Sequence, residues 1–305
     1  MLRLSKNSVF RAASRSHKVV SSSQHIRAFA NDLAVSNWRY PHQTLEHPVK
    51  VIAVDHADPT ANIARTVLRC AEQMLRFPDP AAHHILNGRQ AELRLEHMDH
   101  VAGLGVMARK YAVPTYATPG TLEEIQKMGN LGKIDPELFR EVKEDVKLTI
   151  KDLTVNPMKI SHDAAQPVGY RIAYGNKKVG ICTDLGVYND YTVECLKGMD
   201  ALLVEANHDV KMLQVGPYPY YLKQRILGER GHLSNENSGK LLCRILHDKL
   251  QAIVLGHLSK ENNLPELAYE AVRMEITMGE NPYRAEDFRM MVADRSNVSP
   301  VINIA

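Results

Sequence analysis

The sequence has few of the features that mark a membrane protein or a disulfide-stabilised secreted protein. Its apolar stretches are short: those at 201–204 and 252–255 contain four residues each, far fewer than a bilayer requires. Its four cysteines, at positions 70, 182, 195 and 243, include no Cys-x-x-Cys pair. We therefore expect no membrane-spanning segment, and buried thiols in a reducing compartment such as the cytoplasm.

The chain also lacks a strong excess of either charge. It has 305 residues, with 38 Lys and Arg against 35 Asp and Glu, which gives a formal net charge of +3. Six basic residues and no acidic ones lie in residues 1–30, so the rest of the chain carries −3. A body with this charge cannot hold a polyanion by bulk attraction, and contact with nucleic acid requires a local basic patch.

Residues 1–48 form a basic, Ser- and Arg-rich leader and linker that we expect to be disordered. The composition of residues 1–30 is typical of a mitochondrial presequence, and a plain basic tail would have the same composition. The expected location is the cytoplasm, with the mitochondrial matrix as the alternative if the presequence is genuine.

The remainder divides into an atypical strand–helix segment at 49–94 and a larger domain at 95–305. Hydrophobic residues make up 44% of the chain, which excludes wholesale disorder, and no internal repeat is present. Short apolar runs alternate with helical segments, so we expect the body to be a mixed α/β globular fold. Ser234 is a plausible N-cap. Strands are predicted at 49–54, 114–117, 153–155, 168–172, 179–183, 201–204 and 252–255. Helices are predicted at 58–76, 121–129, 136–146, 191–198, 235–249 and 265–278.

Metal-ligating side chains gather where strands are predicted to end. The densest group is His97, Asp99 and His100, two imidazoles and a carboxylate within four residues. This combination suits a divalent metal, although a solvated polar loop would have the same composition. A lone histidine after a strand is usually structural, but several strand ends at one sheet edge converge in space. The sequence therefore predicts a binuclear metal site. Its candidate ligands are His97, Asp99, His100, His162, Asp184 and His257.

This order of ligands resembles the metallo-β-lactamase superfamily, and the surrounding sequence resembles its YycJ (WalJ) branch. The similarity extends from about residue 96 to residue 294, roughly two thirds of the chain. It implies an αββα metallo-β-lactamase sandwich, with an N-terminal half that is incomplete or divergent. The similar segments are residues 105–111, 159–165, 182–188, 203–209, 231–235 and 255–262.

The resemblance also implies a division of the ligands between two ions. His97 and His162 would hold the first metal, and Asp184 would bridge both. The second metal would be held by Asp99, His100 and His257. Catalytic roles would fall to Asp99, Asp184 and His232.

The implied activity is that of a metal-dependent phosphodiesterase, a 5′→3′ exonuclease on duplex DNA linked to mismatch repair. A hydroxide on two divalent ions, zinc or manganese, would attack phosphorus. The alternative is a thioester or lactone hydrolase, because one hydroxide-generating site serves many chemistries on the same fold.

The first histidine of the superfamily's motif is absent, because this chain has Leu95 there. Leucine cannot ligate a metal, so we expect the first site to be weakened and to hold its ion loosely or not at all. A catalytically impaired chain is therefore a further alternative. Residues 1–94 also lack the branch's usual opening, and either a divergent form replaces it or this stretch is not native to the fold.

Candidate substrate contacts lie in two places. His232 precedes a helix start, where the superfamily's nucleases contact the scissile phosphate or protonate the leaving group; a loop-capping histidine is the simpler alternative. Residues 216–230 interleave tyrosines with cations, which suits stacking on bases and contact with phosphates, although a self-packed surface loop would have the same composition. The candidate substrate-binding residues are Tyr218, Tyr220, Lys223, Arg225 and Lys260.

Overall fold

The protein's structure, a computed structural model, describes residue 101 and residues 103–112, 114–294 and 299–304. All of them belong to one compact unit, Thr44–Ala305. The predictions for the leader at 1–48, the segment at 49–94, and Leu95, His97, Asp99 and His100 therefore lie outside the described residues.

A seven-stranded sheet dominates the described part of the chain. The strands are β1 Thr115–Ala117, β2 Phe139–Glu141, β3 Leu148–Ile150, β4 Leu153–Lys159, β5 Val168–Tyr174, β6 Lys177–Cys182, β7 Ala201–Glu205, β8 Ala252–Gly256 and β9 Arg289–Val292. The large sheet runs in sequence order from β3 to β9. Neighbours from β3 to β6 are antiparallel, whereas neighbours from β6 to β9 are parallel. Strands β1 and β2 form a separate parallel pair.

Seven α-helices lie within the described residues. They are α1 Leu104–Tyr111, α2 Pro119–Lys127, α3 Asp190–Leu196, α4 Val210–Val215, α5 Tyr220–Leu227, α6 Asn235–Cys243 and α7 Pro265–Met278. The two nearest the C-terminus, α6 and α7, pack on the sheet. Helix α7 starts at a proline, whose missing N–H is harmless in the first turn. Ser234 caps α6 by accepting a hydrogen bond from the Asn237 N–H, which confirms the predicted cap.

The main core lies between one face of the sheet and these helices. Leu202, Ile253 and Leu255 of the sheet are fully buried in one apolar cluster with residues of α6 and α7. The opposite face carries a second cluster, with Leu203 and Val254 at its centre. Strands β7 and β8 are thus buried on both faces, which explains why they read as continuous apolar runs rather than alternating ones.

The mixed α/β class is confirmed, but several predicted element bounds are wrong. The helix predicted at 136–146 is a single 3-10 turn, Pro136–Leu138, followed by β2, whose backbone pairs with β1. A three-residue strand shows too little periodicity to distinguish it from a helix. The helix predicted at 235–249 ends at Cys243, and α1, α4, α5, β3 and β9 were not predicted. None of the helices described here has the length and apolar character needed to cross a bilayer.

Candidate metal centre

Four strands deliver polar side chains to the same edge of the sheet. Strand β4 runs in the same direction as β6, because each is antiparallel to β5, and β6, β7 and β8 are parallel. Their carboxyl ends therefore meet at one edge. The residues that follow or end these strands are His162, Asp184, Glu205 and His257, as the sequence predicted for three of them.

Asp184 lies at the centre of this group. Its carboxylate is buried, and Oδ1 is 3.7 Å from His162 Nε2 and 3.4 Å from His257 Nε2. Asp184 and His257 both adopt a left-handed backbone conformation, with φ of 57° and 58°. Such conformations are uncommon outside glycine and persist where the surrounding structure enforces them, often at functional sites.

The ring tautomers of two histidines follow from their outer contacts. Nδ1 of His162 lies 3.0 Å from the carbonyl oxygen of Gly231, and Nδ1 of His257 lies 2.6 Å from Oε1 of Glu205. Both oxygens only accept, so each Nδ1 donates a hydrogen bond. In a neutral ring Nε2 then presents a lone pair, and in both residues that atom faces Asp184.

Glu205 forms the floor of the site. It is completely buried, and Oε1 also accepts a hydrogen bond of 2.8 Å from His232 Nδ1. Oε2 accepts hydrogen bonds from the backbone N–H groups of Leu185 (2.7 Å) and Leu233 (3.3 Å). One carboxylate thus orients two imidazoles and ties the loop after β6 to the loop before α6.

The same contacts govern the ionisation of Glu205. Burial would raise the pKa of this carboxyl, but the charge and hydrogen bonds of His232, followed by those of His257, outweigh burial. The pKa of Glu205 is therefore held below its usual range, and the group is ionised at neutral pH. A buried carboxylate of this kind fixes the orientation of the imidazoles that it contacts.

The donor set fits a divalent cation. Nε2 of His162 and Nε2 of His257 both face Oδ1 of Asp184, at 3.7 and 3.4 Å, an arrangement of lone pairs that a bound cation would stabilise. Two ligand atoms each about 2.0–2.2 Å from a tetrahedral ion would be about 3.4 Å apart. Four residues each offer one potential ligand atom, and these atoms lie within 4.8 Å of one another. They are Asp184, Glu205, His232 and His257.

His232 completes the cluster. Its ring centroid is 5.0 Å from that of His162 and 5.3 Å from that of His257, and its side chain is 17% exposed. With Nδ1 held by Glu205, Nε2 is the atom that remains to meet a ligand. His232 can therefore bind an ion or contact a substrate.

The predicted substrate-binding residues lie on and around α5. Tyr220 is 77% exposed, and Lys260 is also exposed, whereas Tyr218 is half-buried. Lys223 Nζ donates to the carbonyl oxygens of Gln214 and Gly216, and it therefore also holds the loop before α5. Arg225 pairs with Asp163, next to the candidate ligand His162.

Sequence reasoning gave two contributors no role at the metal centre. Asp163 was not singled out, although its Oδ1 is 3.7 Å from His162 Nε2. Arg230 donates from Nε to the carbonyl oxygen of His162 at 3.1 Å. The Lys159-Ile-Ser-His-Asp run was the one signal that could have drawn attention to Asp163.

A further buried histidine lies beneath the cluster. His208 is 1% exposed, and its Nδ1 lies 3.3 Å from Oδ1 of Asn207. Burial lowers the pKa of His208 to about 4, against an opposing effect of Glu205, so the ring is neutral at pH 7. Asn207 in turn donates to the carbonyl oxygen of His257, which links this loop to the site.

Comparison with known proteins identifies the family of the chain. The sequence model of the β-lactamase superfamily domain matches residues 93–255. Exodeoxyribonuclease WalJ of Streptococcus pneumoniae is 40% identical over 174 residues, which cover 57% of this chain and 65% of that protein. Exodeoxyribonuclease YycJ of Bacillus anthracis is 38% identical over 195 residues, which cover 60% and 73% respectively. The chain thus spans just under two thirds of the length of the streptococcal relative.

Solved structures are more distant in sequence. The metallo-β-lactamase fold protein YhfI of Bacillus subtilis is 18% identical, with 65% of this chain and 70% of that chain covered and a TM-score of 0.44. Zinc-bound PqqB of Methylobacterium extorquens is 19% identical, with 68% and 75% covered and a TM-score of 0.45. From the superfamily match over more than half of its length and its identity to the two exodeoxyribonucleases, the chain belongs to the β-lactamase superfamily, in the WalJ/YycJ branch of the metallo-β-lactamase fold.

Proposed function

We propose that the protein is a metal-dependent exonuclease that hydrolyses phosphodiester bonds of duplex DNA in the 5′→3′ direction. The observation that carries the proposal is that His162 and His257 both direct Nε2 at the buried Asp184 carboxylate, with the Glu205–His232 pair beside it. The names of the two curated relatives support the choice of DNA as substrate.

The ion or ions would be held by described residues together with residues that only the family resemblance assigns. Among the described residues, His162, Asp184 and His257 supply two imidazoles and a carboxylate, which suit zinc or manganese. The resemblance adds His97, Asp99 and His100. We expect two ions, with the first held weakly because Leu95 replaces a ligand.

A divalent ion bound here would acidify a water nucleophile and offset the negative charge of the phosphate. The chain's own contribution is orientation. Glu205 holds the His257 ring through Nδ1 and thereby aims Nε2 at Asp184, while the Gly231 carbonyl does the same for His162. Outer contacts of this kind typically change metal affinity or activity by 10–100-fold when removed.

His232 is the residue best placed to assist departure of the leaving oxygen. Its Nδ1–H donates to the Glu205 carboxylate, which orients the ring and leaves Nε2 to contact the leaving oxygen. Its partial exposure lets Nε2 reach a substrate phosphate. If His232 instead ligates an ion, its replacement lowers metal content as well as turnover.

The surface formed by α5 and its flanking loops would guide the strand. Tyr220 and Tyr221, 77% and 60% exposed, offer aromatic faces for unpaired bases. Arg225, held close to the site by Asp163, and Lys260, which follows His257, would meet phosphates. Tyr218 and Lys223 would shape this loop as well as contact the strand.

The proposal is tested by digestion of linear, 5′-phosphorylated duplex DNA in the presence of manganese. The purified protein should release nucleotides from the linear DNA and leave a covalently closed circle of the same sequence intact. Asp184→Asn, which preserves the shape of the side chain but removes its charge, should lose at least 99% of the activity.

Two control reactions separate the alternatives. Hydrolysis of a glutathione thioester without digestion of DNA would overturn the proposal and favour the thioester or lactone hydrolase. Digestion of neither substrate, with Leu95→His restoring digestion of DNA, would identify an impaired nuclease. The matched curated relatives are bacterial, which favours a cytoplasmic over a mitochondrial location.

A further inference from the structure

A cavity of about 540 Å³ adjoins the candidate metal centre. It lies between the carboxyl end of β4 and the start of α3, and His162 forms part of its wall. The same ring directs Nε2 at Asp184, so His162 belongs both to the cavity wall and to the candidate metal centre. Its volume falls within the range of small-molecule sites, about 300–1,000 Å³.

The cavity wall carries two cations that have no carboxylate partner. Arg230 is anchored through Nε to the His162 carbonyl oxygen, and its terminal nitrogens make no hydrogen bond or ion pair with the residues that the structure describes. Lys159 contributes its backbone N–H to Tyr191, and its ammonium group is likewise unpaired among the described residues. Glu144 is the one carboxylate among the wall residues, and it lies near the Gln166 amide.

The rest of the wall offers a rigid aromatic surface. The Tyr191 hydroxyl donates to Asp145 Oδ1 at 2.7 Å and accepts from the Lys159 N–H at 3.1 Å, so the ring is fixed at both sides. Val187 adds an exposed apolar side chain. Asn189 adds an amide whose Oδ1 accepts a hydrogen bond from the Thr192 N–H in the first turn of α3. A wall that combines unpaired cations with a fixed aromatic ring suits a phosphate joined to a flat base.

We propose that this cavity, the Arg230 pocket, receives the terminal nucleotide of the strand being degraded. Arg230 and Lys159 hold its 5′-phosphate, and Tyr191 and Val187 contact its base. The next phosphate along the strand then lies on the other side of His162, at the metal centre. This inference rests on the proposed nuclease function, and it gives a physical reason for attack at 5′ ends.

The first test compares rates on linear duplex DNA with 5′-phosphate ends and with 5′-hydroxyl ends. The native protein should prefer the phosphorylated DNA by about 10-fold or more, because a charge-assisted hydrogen bond to phosphate is lost without it. Arg230→Gln and Lys159→Gln should each reduce this ratio to below about 3. Arg273→Gln, the same change on α7 and outside the pocket, should leave the ratio unaltered. A native ratio near 1, or a ratio unchanged in both pocket variants, would overturn the inference.

The second test measures binding of deoxyadenosine 5′-monophosphate and of deoxyadenosine by calorimetry. The monophosphate should bind at least 10-fold more tightly, and Arg230→Gln and Lys159→Gln should each weaken it by about 10-fold. Because Lys159 makes no side-chain hydrogen bond in the described structure, its replacement leaves the fold intact. If binding depends on these residues but no DNA is digested, the pocket stands and the nuclease proposal fails. If DNA is digested but the monophosphate binds no better than the nucleoside, the nuclease proposal stands and the pocket inference fails.

Discussion

Replacement of Glu205 by glutamine removes one negative charge from the floor of the site while preserving the shape of the side chain. Four donors now reach this carboxylate: two imidazole Nδ1–H groups and two backbone N–H groups. An amide offers one accepting oxygen in place of two, and its NH₂ group must then face donors. Either the histidines or the backbone groups lose their acceptor.

The expected loss follows from this count. Two buried donors without a partner cost about 1–3 kcal/mol each, so Glu205→Gln should lower the free energy of unfolding by roughly 2–6 kcal/mol. Misorientation of His257 and His232 should also lower metal affinity or turnover by about 10–100-fold. The two effects are separable, because the first is present in metal-free protein and the second is not.

Denaturant titration of metal-free protein measures the first effect, and competition with a chromogenic chelator measures the second. Glu280→Gln, the same change at an exposed position, serves as the matched control and should alter neither. A Glu205→Gln protein with native stability and metal affinity within 2-fold of the native value would refute the assignment of Glu205 as the residue that orients both rings.

Four further predictions address other parts of the molecule. Gly186→Ala should destabilise the protein by about 1–3 kcal/mol in thermal denaturation, because the added methyl would meet the Glu229 carbonyl oxygen, whereas Gly129→Ala meets no atom within 4 Å and should be neutral. Burial lowers the pKa of His208 from 6.5 to about 4. On acidification the unfolded chain therefore binds a proton at this ring before the folded chain does, and the free energy of unfolding falls between pH 6.5 and about pH 4. That loss, up to ~3 kcal/mol, should be absent from His208→Asn in urea titrations across this range. Leu95→His should raise the number of tightly bound metal ions per chain, measured by elemental analysis after dialysis; an unchanged number would count against the missing-ligand argument. Tyr220→Ala should weaken binding of single-stranded DNA by about 5–150-fold in fluorescence anisotropy, and native affinity would exclude stacking on this ring.

Elements with a clear local signal were predicted well. Helix α7 is bounded by Pro265 and Gly279, and its bounds in the structure match the prediction at 265–278. Strands β7 and β8 were identified within one residue because continuous apolar runs of this length suit buried parallel strands. By contrast, β2 depends on pairing with β1 rather than on any pattern of its own.

The site was predictable where it depends on strand ends and not where it depends on distant loops. His162, Asp184 and His257 each follow an apolar run, so their convergence could be expected from the sequence. The Arg225–Asp163 pair joins residues 62 positions apart, and the Arg230 contact to His162 joins residues 68 apart. No local pattern encodes such contacts, because they arise only when the loop after β4 meets α5 and the segment that follows α5 in the folded chain.

The central claim is a metal-dependent nuclease centred on Asp184, and one measurement tests it most directly. Release of acid-soluble nucleotides from linear duplex DNA is followed with chelator-stripped protein, before and after manganese is restored, for the native chain and for Asp184→Asn. We predict no release by stripped protein, recovery of release by the native chain with manganese, and no recovery by the variant. Equal release by Asp184→Asn, or release that continues without metal, would contradict the claim.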